Sequence, residues 1–177
     1  MRQREFAIRA LTMGAALVVA IACAGLWGGF RLNLTSSYPV GIWRIEPLDR
    51  EAAVGDRVFI CPPDAAAFEL GFERGYLLRG MCPSGLGPLI KTVVAVAGQE
   101  VNVTQNVTID GALLPNAMVR LADAEGRILP KFPGGTVPPG FVFLHSDFGG
   151  SYDSRYFGPL PASGILGLAH PVLVFSQ

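Results

Sequence analysis

The chain has 177 residues, and 14 Lys and Arg are balanced by 14 Asp and Glu, which gives a formal net charge of zero. A chain of this length forms one domain with a substantial core, and its zero net charge gives no electrostatic reason to expect a nucleic-acid partner. With 22 glycines and 14 prolines, the composition favours a β-rich domain with many turns over a helical protein.

The N-terminal residues have the pattern of a transmembrane anchor. Residues 10–30, ALTMGAALVVAIACAGLWGGF, carry no charge and are close to the ~20 residues needed to cross a bilayer. Three arginines and only one acid lie in residues 1–9, so the positive-inside rule predicts that this segment is cytoplasmic. Residues 31–177 are then predicted to form the exported domain.

Two other interpretations of the apolar segment are open. The first is a cleaved signal peptide, because Ala20-Ile21-Ala22 resembles an A-x-A cleavage site. The second is a lipoprotein site at Cys23, which fits less well because Ala20 stands where leucine is usual. All three interpretations place the following chain in an oxidising compartment.

Cys61 and Cys82 are the two cysteines of the predicted exported part. A disulfide between them would close a loop of roughly twenty residues and stabilise the fold by about 3 kcal/mol. Two unpaired buried thiols are the alternative. A metal site is not expected, since the chain has no C-x-x-C motif and its two histidines are far apart in sequence.

Short apolar runs separated by turn residues follow the anchor. The segments RVFIC (57–61) and YLLR (76–79) read as strands, with a short helix between them that Asp64 could cap and Gly75 could end. The strongest predicted strand is LIKTVVAVAG (89–98), which is β-branched and apolar. Further strands and turns are predicted within 100–114 around Asp110-Gly111, around 123–126, within 138–147 and within 164–175. The predicted fold is mainly β: a single antiparallel β domain with one N-terminal transmembrane helix.

Asn33, Asn102 and Asn106 each begin an Asn-x-Thr sequon. Sequons matter only in a glycosylating secretory pathway, and we interpret these three as chance occurrences in a threonine-rich chain.

A serine and a lysine are the first candidates for chemistry. In TSSYPVG (35–41), Pro39 fixes φ and Gly41 permits a sharp turn, so the loop can present the Ser37 hydroxyl to a cleft. Lys91 lies in the apolar strand, where desolvation lowers a lysine pKa and allows the neutral amine to act as a general base. A serine with a lysine base is a recognised catalytic pair. A lysine at a sheet edge that reaches water is the alternative.

A third segment, SYDSRYFGP (151–159), carries hydroxyls, a carboxylate and an arginine. Asp153 and Arg155 are two residues apart, so in an extended segment they would face the same side and could brace a site. The alternative is a solvated turn. A Ser/His/Asp triad of Ser37, His145 and Asp147 or Asp153 is also open, although it leaves the apolar setting of Lys91 unexplained.

Taken in order, TSSYPVG, LIKTVVAVAGQEV, VPPGFVFLHSD and SYDSRYFGPLP resemble the ordered sequence boxes of type I signal peptidases, and the match covers most of residues 33–175. The stretches NLTSSYPVGIWRI and CPPD…GYLLRGMCPSG are similar to the conjugative-transfer (TraF-type) branch, whose members mature pilin subunits. The resemblance implies a signal-peptidase-like β domain.

The resemblance also implies roles for individual residues. Ser37 would be the nucleophile and Lys91 the general base, and the hydroxyl of Thr35 would help the Ser37 N–H to bind the oxyanion. Ser151 would orient the lysine. Asp153 and Arg155 would match the bracing carboxylate and arginine of the family.

Two departures from the general enzymes are visible in the sequence. Housekeeping signal peptidases have two residues between serine and proline, which would select Ser36, whereas the TraF-type branch has one, which selects Ser37. The segment His145-Ser146-Asp147 stands where the housekeeping enzymes carry Gly-Asp-Asn, so a role for His145 does not follow from the resemblance.

The sequence therefore predicts a membrane-anchored serine endopeptidase of the bacterial inner membrane, with its catalytic domain in the periplasm and no metal or other cofactor. The expected substrate is a membrane-inserted, pilin-like precursor, and the expected partners are the lipid bilayer and components of a conjugation or type IV secretion apparatus. The alternatives are a general signal peptidase for many preproteins and a non-catalytic anchored β module.

Overall fold

The computed structural model of the protein describes residues 2–175. Met1 of the predicted segment 1–9, and Ser176 and Gln177 of the predicted domain 31–177, lie outside the described residues.

A single long helix, α1 (Arg2–Leu26), begins the described chain and is exposed along almost all of its length. Its length and composition are sufficient to cross a membrane. The helix ends four residues before the predicted span does, because Gly28 and Gly29 follow it. Gly29 has φ +70° and its carbonyl accepts a hydrogen bond from the Ile45 N–H (2.8 Å), so the chain leaves the helix there and enters the β domain.

The β domain consists of two antiparallel sheets, which confirms the predicted mainly β, antiparallel architecture. The larger sheet has seven strands: β1 (Phe30–Asn33), β2 (Val40–Glu46), β3 (Arg57–Ile60), β4 (Leu89–Val96), β9 (Phe141–His145), β10 (Leu160–Pro161) and β11 (Ile165–Phe175). They lie in the order β1-β2-β11-β3-β4-β9-β10. The smaller sheet, in the order β7-β6-β5-β8, contains β5 (Glu100–Val103), β6 (Val107–Ile109), β7 (Ala112–Leu113) and β8 (Gly135–Thr136).

The main hydrophobic core takes buried side chains from both sheets. Val58 and Val93 come from the larger sheet, and Val101 and Val107 come from the smaller one, each with no exposed surface. A second, smaller cluster is formed by Trp43, Phe59, Ile90 and Ala169 of the larger sheet, and Tyr38 packs against it. Strand β4 therefore contributes to both clusters, as its β-branched, apolar sequence predicts.

A helix and a hairpin follow β3. Helix α2 (Ala66–Glu73) has Ala65 at its N-cap with no side-chain cap, so the prediction that Asp64 caps it is wrong. Its predicted end at Gly75 is confirmed: Gly75 has φ +76°, and its N–H and that of Tyr76 donate back to the last turn. Residues 76–79 form no strand and contribute only a bridge between Arg79 and Leu86.

The predicted disulfide joins Cys61, which follows β3, to Cys82 in this hairpin, with a Cα–Cα distance of 5.5 Å. The bond closes a loop with a sequence separation of 21 residues. That loop contains α2, so the covalent link holds both the helix and the hairpin against the larger sheet.

Of two predicted hairpins, one forms as predicted and the other is only a turn. Asp110 (φ 49°) and Gly111 (φ 81°) connect β6 to β7 in a two-residue hairpin, as predicted. The predicted hairpin around 123–126 is reduced to a turn with a single bridge between Ala122 and Ile128. Its turn is held by Asp123, whose carboxylate accepts the N–H groups of Glu125 and Arg127 at 2.9 Å each.

We expect replacement of both Cys61 and Cys82 with serine to lower the free energy of unfolding by about 3 kcal/mol, because the unfolded chain regains the entropy of the open loop. Urea denaturation of the full chain in detergent measures this change. Cys23→Ser is the control and should leave the unfolding midpoint in place, since Cys23 is not in a disulfide. An unchanged midpoint in the double variant would show that the other contacts alone hold the loop.

Candidate active site

The loop that carries Ser37 connects the neighbouring strands β1 and β2. Gly41, where β2 pairs with β1, has φ +145°, and a Cβ there would lie 2.1 Å from the Leu173 carbonyl oxygen of β11. Only glycine allows this close approach. The loop is therefore pressed onto β11 at its C-terminal end.

Three further contacts fix this loop. The Tyr38 hydroxyl lies 2.6 Å from Thr92 Oγ1 on β4, and the Trp43 indole N–H donates to the Pro39 carbonyl at 2.9 Å. The Ser146 hydroxyl donates to the Ser37 carbonyl at 2.6 Å. Side chains from β2, β4 and the segment after β9 thus hold the backbone around Ser37.

Lys91 on β4 and Ser37 are in hydrogen-bond contact. The distance from Lys91 Nζ to Ser37 Oγ is 3.0 Å, and that from Lys91 Nζ to Ser151 Oγ is 2.7 Å. The two serine hydroxyl oxygens are 3.4 Å apart. Ser37, Lys91 and Ser151 therefore form one compact group. They are far apart in the sequence, and all three were predicted to belong to the site.

The environment of Lys91 favours its neutral form. Its side chain is 3% exposed. Burial lowers its pKa to about 8, while the Asp153 carboxylate acts to raise the pKa and the Arg155 guanidinium acts to lower it. A lysine in this state has a substantial neutral fraction near physiological pH. The alternative of a lysine at a sheet edge that reaches water does not fit, because β4 lies between β3 and β9.

Asp153 and Arg155 form a fully buried ion pair beside this group. Arg155 Nε lies 2.8 Å from Asp153 Oδ1 and Arg155 Nη2 lies 2.9 Å from Asp153 Oδ2, which is a bidentate geometry. Both side chains have no exposed surface. The alternative of a solvated turn is therefore wrong.

The local structure that produces this pair differs from the predicted extended segment. Asp153 is the N-cap of the short helix α3 (Ser154–Phe157) and accepts the Arg155 N–H. Arg155 also donates to the carbonyls of Ser151 (3.1 Å) and Met118 (2.7 Å). The pair thus fixes the backbone of Ser151, whose hydroxyl contacts Lys91.

Thr35 lies on the same loop as Ser37, but its hydroxyl proton is engaged. The Thr35 hydroxyl donates to Asn33 Oδ1 at 2.8 Å. In this conformation the hydroxyl is not free to donate to an oxyanion, so the role implied by the resemblance requires it to rotate.

The geometry gives less support to two alternatives from the sequence, Ser36 as the nucleophile and His145 as the base. Ser36 is exposed, and within the described chain the lysine contact is made by Ser37. His145 is 2% exposed and its Nδ1 lies 3.9 Å from the Asp147 carboxylate, but no hydrogen bond between His145 and Ser37 is present among the described residues. Burial lowers the pKa of His145, and its buried Nε2 has no hydrogen-bond partner within residues 2–175.

A cleft of about 510 Å³ opens beside the Ser37–Lys91 pair. One side is formed by residues 31–35, and another by the disulfide-closed segment, including Leu78 and Met81. Its lining is mainly apolar. Within residues 2–175 no cluster of three or more His, Cys, Asp or Glu side chains could hold a metal ion.

Sequence reasoning missed several residues that shape the site. Asn33 was considered only as the start of a sequon, and the Tyr38–Thr92 contact was not anticipated. The single signal in the sequence was position: Asn33 stands two residues before Thr35 and its turn-forming segment, where a side-chain amide can bond to the backbone of a turn.

Comparison with known proteins identifies the family of the chain. A family model described as signal peptidase, peptidase S26, matches residues 5–174. The chain is 53% identical over 175 residues to a conjugal transfer protein TraF of Agrobacterium tumefaciens (strain 15955), with 99% of each chain covered. It is 38% identical over 171 residues to a plasmid transfer protein TraF of Escherichia coli, with 93% of this chain and 94% of that protein covered.

Among solved structures, a signal peptidase I from Enterococcus faecalis V583 aligns with a TM-score of 0.39 and 19% identity, over 67% of this chain and 97% of that one. The predicted resemblance to type I signal peptidases and to their TraF-type branch is confirmed by the family match and the TraF relatives. The chain belongs to the signal peptidase (peptidase S26) family.

Proposed function

We propose that the protein is a membrane-anchored serine endopeptidase with a Ser37–Lys91 dyad that processes an exported precursor during conjugation. The observation that supports this most directly is the 3.0 Å contact between Lys91 Nζ and Ser37 Oγ, made by a lysine that is 3% exposed. The TraF relatives carry conjugal or plasmid transfer names, which supports the conjugative setting.

In the first step, neutral Lys91 accepts the Ser37 proton as Oγ attacks the carbonyl carbon of the scissile bond. The tetrahedral oxyanion is stabilised by the Ser37 backbone N–H, joined by the Thr35 hydroxyl once it has rotated away from Asn33. Collapse of this intermediate breaks the C–N bond, and the Lys91 ammonium returns its proton to the leaving amine. An acyl-enzyme on Ser37 is left.

In the second step, a water molecule replaces the leaving amine and gives its proton to Lys91 as it attacks the ester. The second tetrahedral intermediate releases the new carboxylic acid, which loses its proton to solvent, and Ser37 recovers its own proton from Lys91. Ser151 acts throughout as a positioning residue, because its hydroxyl accepts a hydrogen bond from Lys91 Nζ at 2.7 Å. Asp153 and Arg155 position Ser151 through the backbone contact already described.

The mainly apolar cleft fits an extended apolar stretch of a precursor, and we propose a pilin-like protein as that precursor. Under this proposal α1 crosses the inner membrane with residues 1–9 in the cytoplasm, and the domain from residue 31 lies in the periplasm. An enzyme and a substrate held in one bilayer meet at a high effective concentration.

We expect Ser37→Ala and Lys91→Ala each to reduce cleavage of a pilin-like precursor in liposomes by at least about a thousandfold, because members of a catalytic dyad act as a unit. Gel-based cleavage assays at matched protein concentration measure this. Ser36→Ala and His145→Ala are the matched controls and should retain most of the wild-type rate.

Other outcomes of this assay discriminate between the alternatives. Loss of activity in His145→Ala with normal cleavage by Lys91→Ala would replace the dyad with a triad. Equal cleavage of pilin-like and ordinary preproteins by the wild type would indicate a general signal peptidase. An inactive wild type would favour a non-catalytic anchored module.

We also expect kcat/KM to rise with pH through a midpoint near 8. The general base must be neutral, and the pKa of Lys91 is lowered by burial to about 8, so each pH unit below that value should reduce the rate about tenfold. Rates on a soluble peptide substrate between about pH 6 and pH 10 give the profile. Asp147→Asn should leave the midpoint in place, since this carboxylate is 83% exposed. A midpoint near 6 would instead point to a histidine base.

A further inference from the structure

We infer that Asn33 is a positioning residue for the nucleophile: its side chain sets the shape of the loop around Ser37 and holds Thr35 beside it. This assignment rests on the proposed peptidase function. It goes beyond that function because it identifies the group that fixes the nucleophile loop.

The Asn33 side chain contacts the loop at five points. Nδ2 donates to the carbonyls of Thr35 (3.0 Å), Tyr38 (2.9 Å) and Pro39 (3.1 Å), so three acceptors share its two N–H groups. Oδ1 accepts the N–H (3.1 Å) and the hydroxyl (2.8 Å) of Thr35. Asn33 is 8% exposed, so these bonds are largely shielded from water.

The loop depends on this side chain because its own backbone supplies little. Within the described chain, no backbone–backbone hydrogen bond outside the strands involves residues 34–39. Backbone carbonyls that leave water need partners, and here one amide group serves three of them. An amide is required because only it combines donors and an acceptor at this distance from the backbone: aspartate lacks the donors, and alanine lacks both.

The bonded carbonyls lie on both sides of the nucleophile. Thr35 precedes Ser37 by two residues and Tyr38 follows it directly. The Ser37 carbonyl is held from the opposite direction by the Ser146 hydroxyl at 2.6 Å. The position of Ser37 Oγ relative to Lys91 Nζ therefore follows from how Asn33 closes the loop.

Asn33 also controls the Thr35 hydroxyl. That hydroxyl has one proton, and in the structure it is donated to Asn33 Oδ1. If the hydroxyl rotates toward an oxyanion, the Thr35 N–H can stay on the same Oδ1, so Thr35 keeps its place while its hydroxyl donates a hydrogen bond to the new acceptor. Asn33 thus keeps Thr35 within the site and competes for its proton in the resting state.

The test uses Asn33→Asp and Asn33→Ala in the full chain, with Asn102→Asp as the matched control. Asn102 begins another sequon but lies exposed on β5, outside the cleft. The active fraction of each preparation is titrated to completion with a fluorophosphonate, which phosphonylates the serine and releases fluoride. The kcat and KM are then measured per active site on one soluble peptide spanning the junction of a pilin-like precursor.

We expect kcat per active site to fall about a hundredfold in both Asn33 variants, the size of effect that follows from a misplaced reacting group, while KM changes by less than about threefold. The midpoint of the pH profile should stay at the wild-type value, because Asn33 makes no hydrogen bond to Lys91 among the described residues. Asn102→Asp should match the wild type in all three readouts.

A double-mutant cycle with Thr35→Val tests the second part of the assignment. If Asn33 acts partly through Thr35, the loss in Asn33→Ala/Thr35→Val is smaller than the product of the two single losses. Fully multiplicative losses would overturn the link to Thr35.

Three results would overturn the assignment or its basis. Fewer active sites with an unchanged kcat per site would mean that Asn33 serves stability alone. A raised KM with an unchanged kcat would make it a substrate-binding residue. Both results require an active wild type, whereas absence of cleavage by the wild type would overturn the proposed function itself and this assignment with it.

Discussion

The site depends on burying an ammonium group in the middle of a sheet. A charged lysine that is 3% exposed loses most of its hydration, and no carboxylate forms a salt bridge with it within the described chain. Two features of the structure offset this loss of hydration. Two serine hydroxyls accept hydrogen bonds from Nζ, and burial lowers the pKa to about 8, so that the neutral form is readily reached.

The buried pair of Asp153 and Arg155 makes this balance possible. Asp153 alone would raise the pKa of Lys91 and favour the charged form, whereas Arg155 opposes that effect. The two joined charges act in opposite directions on the lysine, and desolvation is the largest influence on its pKa. The same arginine fixes the Ser151 backbone, so the electrostatic and geometric roles of the pair cannot be separated.

The sequence was sufficient for the parts of the structure that local chemistry determines. The β-branched run 89–98 predicted the central strand, Asp110-Gly111 predicted a hairpin, and Cys61 and Cys82 predicted the disulfide. The resemblance to type I signal peptidases also implied that Ser37, Lys91 and Ser151 would meet. These features are encoded either by backbone preference or by a distinctive motif.

The predictions that were wrong or missing concern features that depend on tertiary contacts. The segment 76–79 has a strand-like pattern, and Leu77 is indeed buried. Within the described residues, however, the segment pairs only through the Arg79–Leu86 bridge, and the chain turns into a hairpin instead. Asp64 was a reasonable cap by residue type, but the helix begins two residues later. The hydrogen bonds of the Asn33 side chain could not be predicted from the sequence. They form only in the folded loop, and the same hydrogen bonds hold that loop in shape.

Under the proposed function, the distance between α1 and Ser37 limits where a substrate can be cut. Ser37 lies eleven residues after Leu26, the last residue of α1, and a chain of that length spans at most ~40 Å. Four of those residues form β1, which is paired with β2 and cannot be pulled out without breaking the sheet. If α1 crosses the bilayer as proposed, the dyad is confined close to the membrane surface. A precursor must then present its scissile bond near the bilayer, which a membrane-inserted precursor does and a fully released protein does not.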